Sequence, residues 1–323
     1  GLSGLFLDAN ENSFGSIPEG DYNRYPDPLQ KKIKEKLSGI KHVPSENIFV
    51  GNGSDEAIDL VIRAFCEPGN DNILIMPPTY GMYQVVAEIN NVNILEVPLN
   101  NNFQINDDLV LSTINKNIKI IFICSPNNPS GNILDQNSVK SILSSFNGLV
   151  VIDEAYIDFA DTKSWINELK YYNNLIVLQT FSKAWGLASI RVGMAYACKE
   201  IIDVFNSIKY PYNVNGISQQ IVLNTLDHEL DKNLLVKKII IEREKLAKNL
   251  ESLDFIEYVY PSNSNFLLVK VADADNIYNY LVSNKIIVRN RSKILHCHNC
   301  LRFTVGTEIE NQRLIEVLKE YGV

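Results

Sequence analysis

No stretch of this sequence comes near the roughly 18 to 20 consecutive apolar residues that span a bilayer, and its start, GLSGLFLDANEN, has neither a basic region nor an apolar core of the kind that directs secretion. A membrane-embedded or exported chain is therefore not expected. Nor is there a block of Lys and Arg: 30 basic residues stand against 38 acidic ones, a net charge of −8, so nothing offers nucleic acid or an anionic membrane an electrostatic footprint. Any anion has to be met by a local basic site. Cysteine is scarce. The five, Cys66, Cys124, Cys198, Cys297 and Cys300, are odd in number and sit in mostly apolar contexts, as reduced thiols of a cytoplasmic protein do. The HCHNC run at 296–300 has no second ligand pair nearby to complete a zinc site, so no metal is expected there.

What is present suits two domains: 323 residues, 46% hydrophobic and 21% charged, with no internal repeat. Short β-rich runs at 72–76, 92–97, 118–124, 149–153, 175–180 and 192–197 alternate with helical-period segments at 57–65, 82–89, 138–146 and 200–208. That alternation predicts an α/β domain with a mostly parallel central sheet flanked by helices. Beyond about residue 215 the pattern becomes a long charged helix (234–253), a strand (265–271), a helix, two strands (286–289 and 302–305) and a closing helix. This reads as a smaller α+β domain, with the Pro- and Gly-bearing stretch 210–216 as the break. The expected division is an N-terminal segment, 1–20, associated with the small domain, a large cofactor-binding domain, 21–213, and a small domain, 214–323.

Open parallel sheets bind ligands at the carboxyl ends of their strands, so the residues after each β-run are the candidates. After 118–124 comes SPNNPSG (125–131), after 149–152 comes DEAY (153–156), and after 175–179 comes TFSK (180–183). Upstream, GNGSDEAIDL (51–60) is a glycine-containing turn opening a helix. A lone Ser-Lys pair is usually a solvated one. Lys183 differs because every other requirement of a pyridoxal 5'-phosphate site has a candidate in these same segments. Lys183 supplies an amine for an imine with the cofactor carbonyl. Asp153 supplies a carboxylate that keeps the pyridine nitrogen protonated, although a helix N-cap is an equal reading of that residue alone. Asn128 and Tyr156 can donate to the ring oxygen, and Asn128-Pro129 also suits a turn. Gly53 and Ser54 offer N–H groups at a helix start, with Thr180, Ser182 and Arg191 completing a phosphate cup. Asp55, of the wrong sign for phosphate, fits a first-turn helix residue beside them. Tyr80, in PTYGMY (78–83), can stack on the ring or belong to the core.

Taken together, LDANEN (7–12), NRYPDP (23–28), GNGSDEAIDL, PPTYGMY, CSPNNPSG, VIDEAYIDF, TFSKAWGLASIRVG and LRFTVGT (301–307) resemble the fold-type I aminotransferases, and more closely the histidinol-phosphate aminotransferase family. The resemblance runs nearly end to end. It implies a fold-type I architecture and pyridoxal phosphate attached at Lys183, with Asp153, Asn128, Tyr156, Tyr80, Gly53, Ser54, Ser182 and Arg191 in the roles given above. It further implies that Tyr25 reaches the cofactor phosphate of a neighbouring subunit, so that a homodimer shares its active sites. Arg302 corresponds to the arginine that binds the substrate's anionic group, with Arg289 as a second contact unless it is a surface charge, and with Asn128 and Tyr25 bordering the substrate. The implied reaction moves an amino group between histidinol phosphate and 2-oxoglutarate, yielding imidazole acetol phosphate and glutamate, with Lys183 as the base. An aromatic amino-acid aminotransferase and a threonine-phosphate decarboxylase are the alternatives on this scaffold. A non-catalytic regulator is a further class, for which no helix-turn-helix or basic face is evident. Two departures stand out: the family's arm ahead of LDANEN, with its substrate-side tyrosine, is not in this sequence, and the HCHNC loop is not a family feature.

Overall fold

A computed structural model describes residues 7–321. Seven strands form the larger sheet: β1 (Ile48–Gly51), β2 (Asn72–Ile75), β3 (Asn93–Glu96), β4 (Ile118–Cys124), β5 (Leu149–Asp153), β6 (Leu175–Thr180) and β7 (Gly193–Tyr196), in the spatial order β1-β7-β6-β5-β4-β2-β3. All run parallel except β7, which is antiparallel to both of its neighbours. The reversal has a local cause. The connection from β6 to β7 carries only the 3-10 turn Ala188–Ile190, with no crossover helix to bring the chain back in the same direction.

The central strands are apolar over most of their length because both faces are covered. Side chains alternate across a strand, and the two packed clusters divide accordingly: Ile121, Ile123, Val150, Ile152, Leu175 and Val177 on one face, Ile120, Phe122, Val151, Ile176 and Leu178 on the other. Helices Ser54–Phe65, Met82–Ile89 and Lys199–Ile208 press Ala57, Ile58, Tyr83, Val86, Ile202 and Phe205 into the second cluster. This is the architecture expected of a fold-type I aminotransferase, and it exposes one edge for chemistry: the carboxyl ends of β4, β5 and β6, with the helix after β1 starting alongside. Several elements were not anticipated, among them the helices Asp107–Thr113 and Gly216–Thr225 and the strand Ile256–Val259. The helix Lys31–Lys41 has few apolar residues to advertise it, and β1, though wholly buried, is only the four-residue run IFVG.

The smaller sheet is antiparallel, with β8 (Ile256–Val259), β9 (Phe266–Val271), β10 (Arg289–Asn290) and β11 (Cys300–Thr304) in the order β10-β11-β9-β8. The strand expected at 286–289 is in fact shorter and shifted: pairing holds only where Arg289 faces Arg302 and Asn290 faces Leu301. The helix Glu229–Glu251 bridges the two sheets, lending Val236 to a small cluster with Tyr156 and Phe266, and Leu246 and Leu250 to the small-sheet core. Val214, Val222 and Leu226 pack in the cluster that holds one face of the large sheet. The described part of segment 1–20 bonds to residues 23–25, through Arg24 and the Tyr25 N–H to Glu11 at 2.6 Å and Asn23 to the Asn12 carbonyl at 2.8 Å. Residues 1–6 of that segment lie outside the described residues.

Glu154, next to the last residue of β5, is buried and accepts hydrogen bonds from Ser164 Oγ, the Trp165 N–H at 2.7 Å and Gln179 Nε2 at 2.9 Å. Burial outweighs these donors and pushes its carboxyl up to about 7. A carboxyl raised above its unfolded value binds its proton more tightly in the folded state. Its contribution is therefore fully present below pH ~4.5 and is lost as pH rises through about 7, a change on the order of 3 kcal/mol. Glu154→Gln is expected to flatten the fall in unfolding free energy between pH 5 and 8. Denaturant titrations of both proteins at those two pH values measure it, and parallel pH profiles would remove Glu154 as the cause.

Candidate functional site

The strand ends and the helix after β1 surround a cavity of about 620 Å³, including its open mouth. From β6 come Thr180, Ser182 and Lys183; from β5, Asp153 and Tyr156; from the loop after β4, Asn128; from the helix start after β1, Gly53, Ser54 and Asp55. Tyr80, ahead of the helix Met82–Ile89, and Arg191, ahead of β7, close the ring.

Lys183 is half-buried, with Nζ 5.5 Å from the centre of the Tyr156 ring. Burial holds its ammonium below the usual lysine range, and the Arg302 guanidinium adds to the shift. Asp153 is 3% exposed. Its Oδ1 accepts from the Ala155 N–H at 3.0 Å and its Oδ2 from the Tyr83 hydroxyl at 2.8 Å. Burial pushes this carboxyl up to about 6, with the two donors and the Lys183 charge opposing. A buried carboxylate with neutral donors and only a distant cation is one that a cationic ligand atom would stabilise.

At the other end the chain turns sharply to present donors. Gly53 has φ +74, which favours glycine, and its N–H neighbours open the helix Ser54–Phe65. A Cβ at Gly193 would lie 2.3 Å from the Ser54 nitrogen, so only glycine lets β7 approach that helix start and bring Arg191 to it. Arg191, itself left-handed at φ 59, extends Nη1 towards Ser182 Oγ at 3.5 Å and Nη2 towards Asp55 at 3.6 Å. Asp55 also accepts from the Tyr80 hydroxyl at 3.1 Å. The acid thus holds Arg191 and Tyr80 in place from the first turn of the helix, which is how a residue of the wrong sign fits beside an anion cup. Tyr80 meets Tyr83 edge-on at 5.6 Å, and Tyr83 stacks on Phe122 at 4.6 Å.

A model of the family described as aminotransferase class I and II matches residues 9–318. The chain belongs to this family. The aminotransferase is 53% identical over 321 residues to histidinol-phosphate aminotransferase of Cytophaga hutchinsonii, a match covering 99% of this chain and 92% of that one. Among solved structures it resembles histidinol-phosphate aminotransferase of Clostridium acetobutylicum, with a TM-score of 0.86 and 24% identity over 93% of this chain and 91% of that one. It also resembles the Sinorhizobium meliloti histidinol-phosphate aminotransferase in complex with pyridoxal-5'-phosphate, with a TM-score of 0.84 and 22% identity over 97% and 90%.

The residues of the aminotransferase cavity fit that cofactor. A half-buried lysine, a buried carboxylate, two ring-oxygen donors and a cationic cup at a helix start are the features its carbonyl, ring nitrogen, ring oxygen and phosphate require. Arg302 reaches the same cavity from the small sheet: its Nη1 donates to Asn128 Oδ1, and its guanidinium sits 5.0 Å over the Phe266 ring. Burial and the neighbouring Arg291 pull it down to about 10. Arg289 is exposed, paired in register with Arg302. Tyr25 is not brought to this cavity. It is 58% exposed and stacks on Tyr212 at 4.5 Å in a separate surface concavity that also includes Glu11 and Arg24.

Tyr83 is the residue that motif reading passed over. It belongs to PTYGMY, in the first turn of the helix Met82–Ile89, where it meets Tyr80 edge-on and reaches Asp153 from behind the cavity wall. Full burial holds its hydroxyl far above the ordinary tyrosine value, so it stays a donor to Asp153 across the pH range of the fold. No group of three or more potential metal ligands occurs among the described residues, and no described helix is long and apolar enough to cross a membrane.

Proposed function

We propose that this aminotransferase moves the amino group between histidinol phosphate and 2-oxoglutarate in histidine biosynthesis, using pyridoxal 5'-phosphate attached at Lys183. The reading is carried by the convergence of Lys183 and Asp153 on one cavity, with Arg302 bonded to Asn128 at its wall, in a chain 53% identical to a histidinol-phosphate aminotransferase. When bound, the cofactor supplies a carbonyl that joins the substrate amine and a ring that accepts the electron pair left by the departing Cα proton. Asp153, fixed by Tyr83 and the Ala155 N–H, holds a proton on the ring nitrogen. Asn128 spends its Oδ1 on Arg302, which leaves its amide N–H for the ring oxygen. Tyr156, buried and held protonated, offers a second donor there. Ser54, Thr180, Ser182 and Arg191 hold the phosphate and so fix the tilt of the ring. With the cofactor held there, Lys183 Nζ would be the group placed to take up the Cα proton. Its lowered affinity for protons leaves it neutral more often than a free lysine.

Arg302, with Arg289 nearby, binds the substrate's anionic end. Tyr25 completes the phosphate cup of a second subunit, so the working unit is a cytoplasmic homodimer with shared sites. The test is a half-reaction measurement on the loaded enzyme with histidinol phosphate, phenylalanine and threonine phosphate as donors. Histidinol phosphate is expected to exceed phenylalanine in kcat/KM by on the order of 100-fold or more, with 2-oxoglutarate required for turnover, because a phosphate left unbound leaves buried donors unpaired. A preference for phenylalanine would make the enzyme an aromatic aminotransferase. Carbon dioxide release from threonine phosphate without a keto acid would make it a decarboxylase.

A further inference from the structure

Arg302 is one of two arginines near Tyr156 whose Nε finds no partner among the described residues. The Nε atoms of Arg291 and Arg302 are buried without a partner, as is Ser292 Oγ. The remaining buried side-chain atoms without a partner, on Gln30, Asn127 and Asn206, are amide oxygens, so the unpaired nitrogen donors collect at this one place. Register explains how. Arg289 faces Arg302 across β10 and β11, and the Arg291 N–H donates to the Cys300 carbonyl at 2.8 Å, continuing the same ladder by two residues. Alternation along the strand then returns Arg291 to the face that carries Arg289 and Arg302. Arg291 weighs more heavily on Arg302 than Arg289 does, and it also lies within electrostatic reach of Tyr156. Among the described residues no carboxylate forms an ion pair with Arg289, Arg291 or Arg302. Uncompensated, partly buried positive charge is destabilising unless an anion joins it.

Resting on the reading given under Proposed function, we propose that Arg291 is a specificity-determining residue: with Arg302 it forms the subsite for the substrate's anionic end and tunes it to a doubly charged phosphate monoester over a singly charged carboxylate. One guanidinium suffices to pair a carboxylate. A second, sharing the same anion, adds attraction in proportion to the anion's charge, so its removal costs the dianion more.

The test uses the cofactor-loaded enzyme, whose cofactor phosphate cup is already filled, with inorganic phosphate as the probe. Competitive inhibition of the glutamate half-reaction by phosphate is measured for wild type, Arg291→Gln and Arg291→Lys. Arg291→Gln is expected to weaken phosphate inhibition about tenfold or more and to raise the KM for histidinol phosphate similarly, while the KM for glutamate moves less than about threefold. Arg291→Lys, keeping the charge but not the fork, falls between. In wild type, phosphate inhibition strengthens as pH rises through the second ionisation of phosphate, and in Arg291→Gln that rise is blunted. Equal losses for phosphate and glutamate, or undiminished phosphate inhibition in both variants, would overturn the proposal. Should Arg291→Gln fail to fold, the Lys variant and the wild-type pH profile decide it alone. Because phosphate inhibition is read with glutamate as donor, it does not depend on histidinol phosphate being a substrate. An enzyme inert towards histidinol phosphate, yet losing phosphate inhibition with Arg291, would sink the substrate assignment and leave this inference standing.

Discussion

Replacing Lys183 with alanine is expected to lower transamination by on the order of 10,000-fold or more and to leave the cofactor without covalent attachment. Lys183 is the one lysine among the residues lining the cavity, so no neighbour can take over as anchor or base. Arginine at the same position separates the roles. Lys183→Arg keeps the positive charge but cannot give up its proton near neutrality, so it restores activity only if charge is what matters. Both variants are expected to be equally inactive in steady-state assays, with the absorbance of the attached cofactor missing from each. Substantial activity in Lys183→Arg would mean that Lys183 acts as a fixed cation and that proton transfer is done elsewhere.

Asp153→Asn is expected to lower kcat by on the order of 1,000-fold while attachment at Lys183 persists. The substitution preserves size and an acceptor for the Tyr83 hydroxyl or the Ala155 N–H, so what it removes is charge. Without a carboxylate opposite it the ring nitrogen loses its proton, and the electron pair left at the substrate Cα has less to delocalise into. The wild type carries a related pH dependence. Burial raises the Asp153 carboxyl to about 6 in the cofactor-free protein, and protonation below that value removes the charge. Cofactor affinity is therefore expected to fall as pH drops through about 6, and the Asn variant to show a flatter profile. Equilibrium titrations of cofactor into both proteins between pH 5 and 8 measure it. Steep pH dependence retained in the Asn variant would assign the titration to another group.

Much of the site could be read from sequence because each central strand is a largely apolar run that breaks abruptly into acid, amide or hydroxyl. Asp153 after LVVI, and Lys183 soon after LIVL, are visible for that reason, and the structure brings them to one cavity with Asn128, Tyr156 and Arg191. Tyr83 was hidden because its role depends on helical phase and on the depth of Asp153, which a motif does not carry. Arg291 escaped for a related reason: it stands past the end of β10 and joins Arg302 only through a strand pairing distant in sequence. The reversed β7 shows the limit of alternation as a guide, since a strand's direction is set by the length and content of its connection. Tyr25 lies outside the cavity of its own chain, stacked on Tyr212.

The most direct test is to load the purified protein with pyridoxal phosphate, reduce it with borohydride, digest it and locate the modified residue by mass spectrometry. A single stoichiometric pyridoxyl adduct on Lys183, absent from Lys183→Ala, is the predicted result. An adduct on any other lysine, or none at all, would contradict the account at its root.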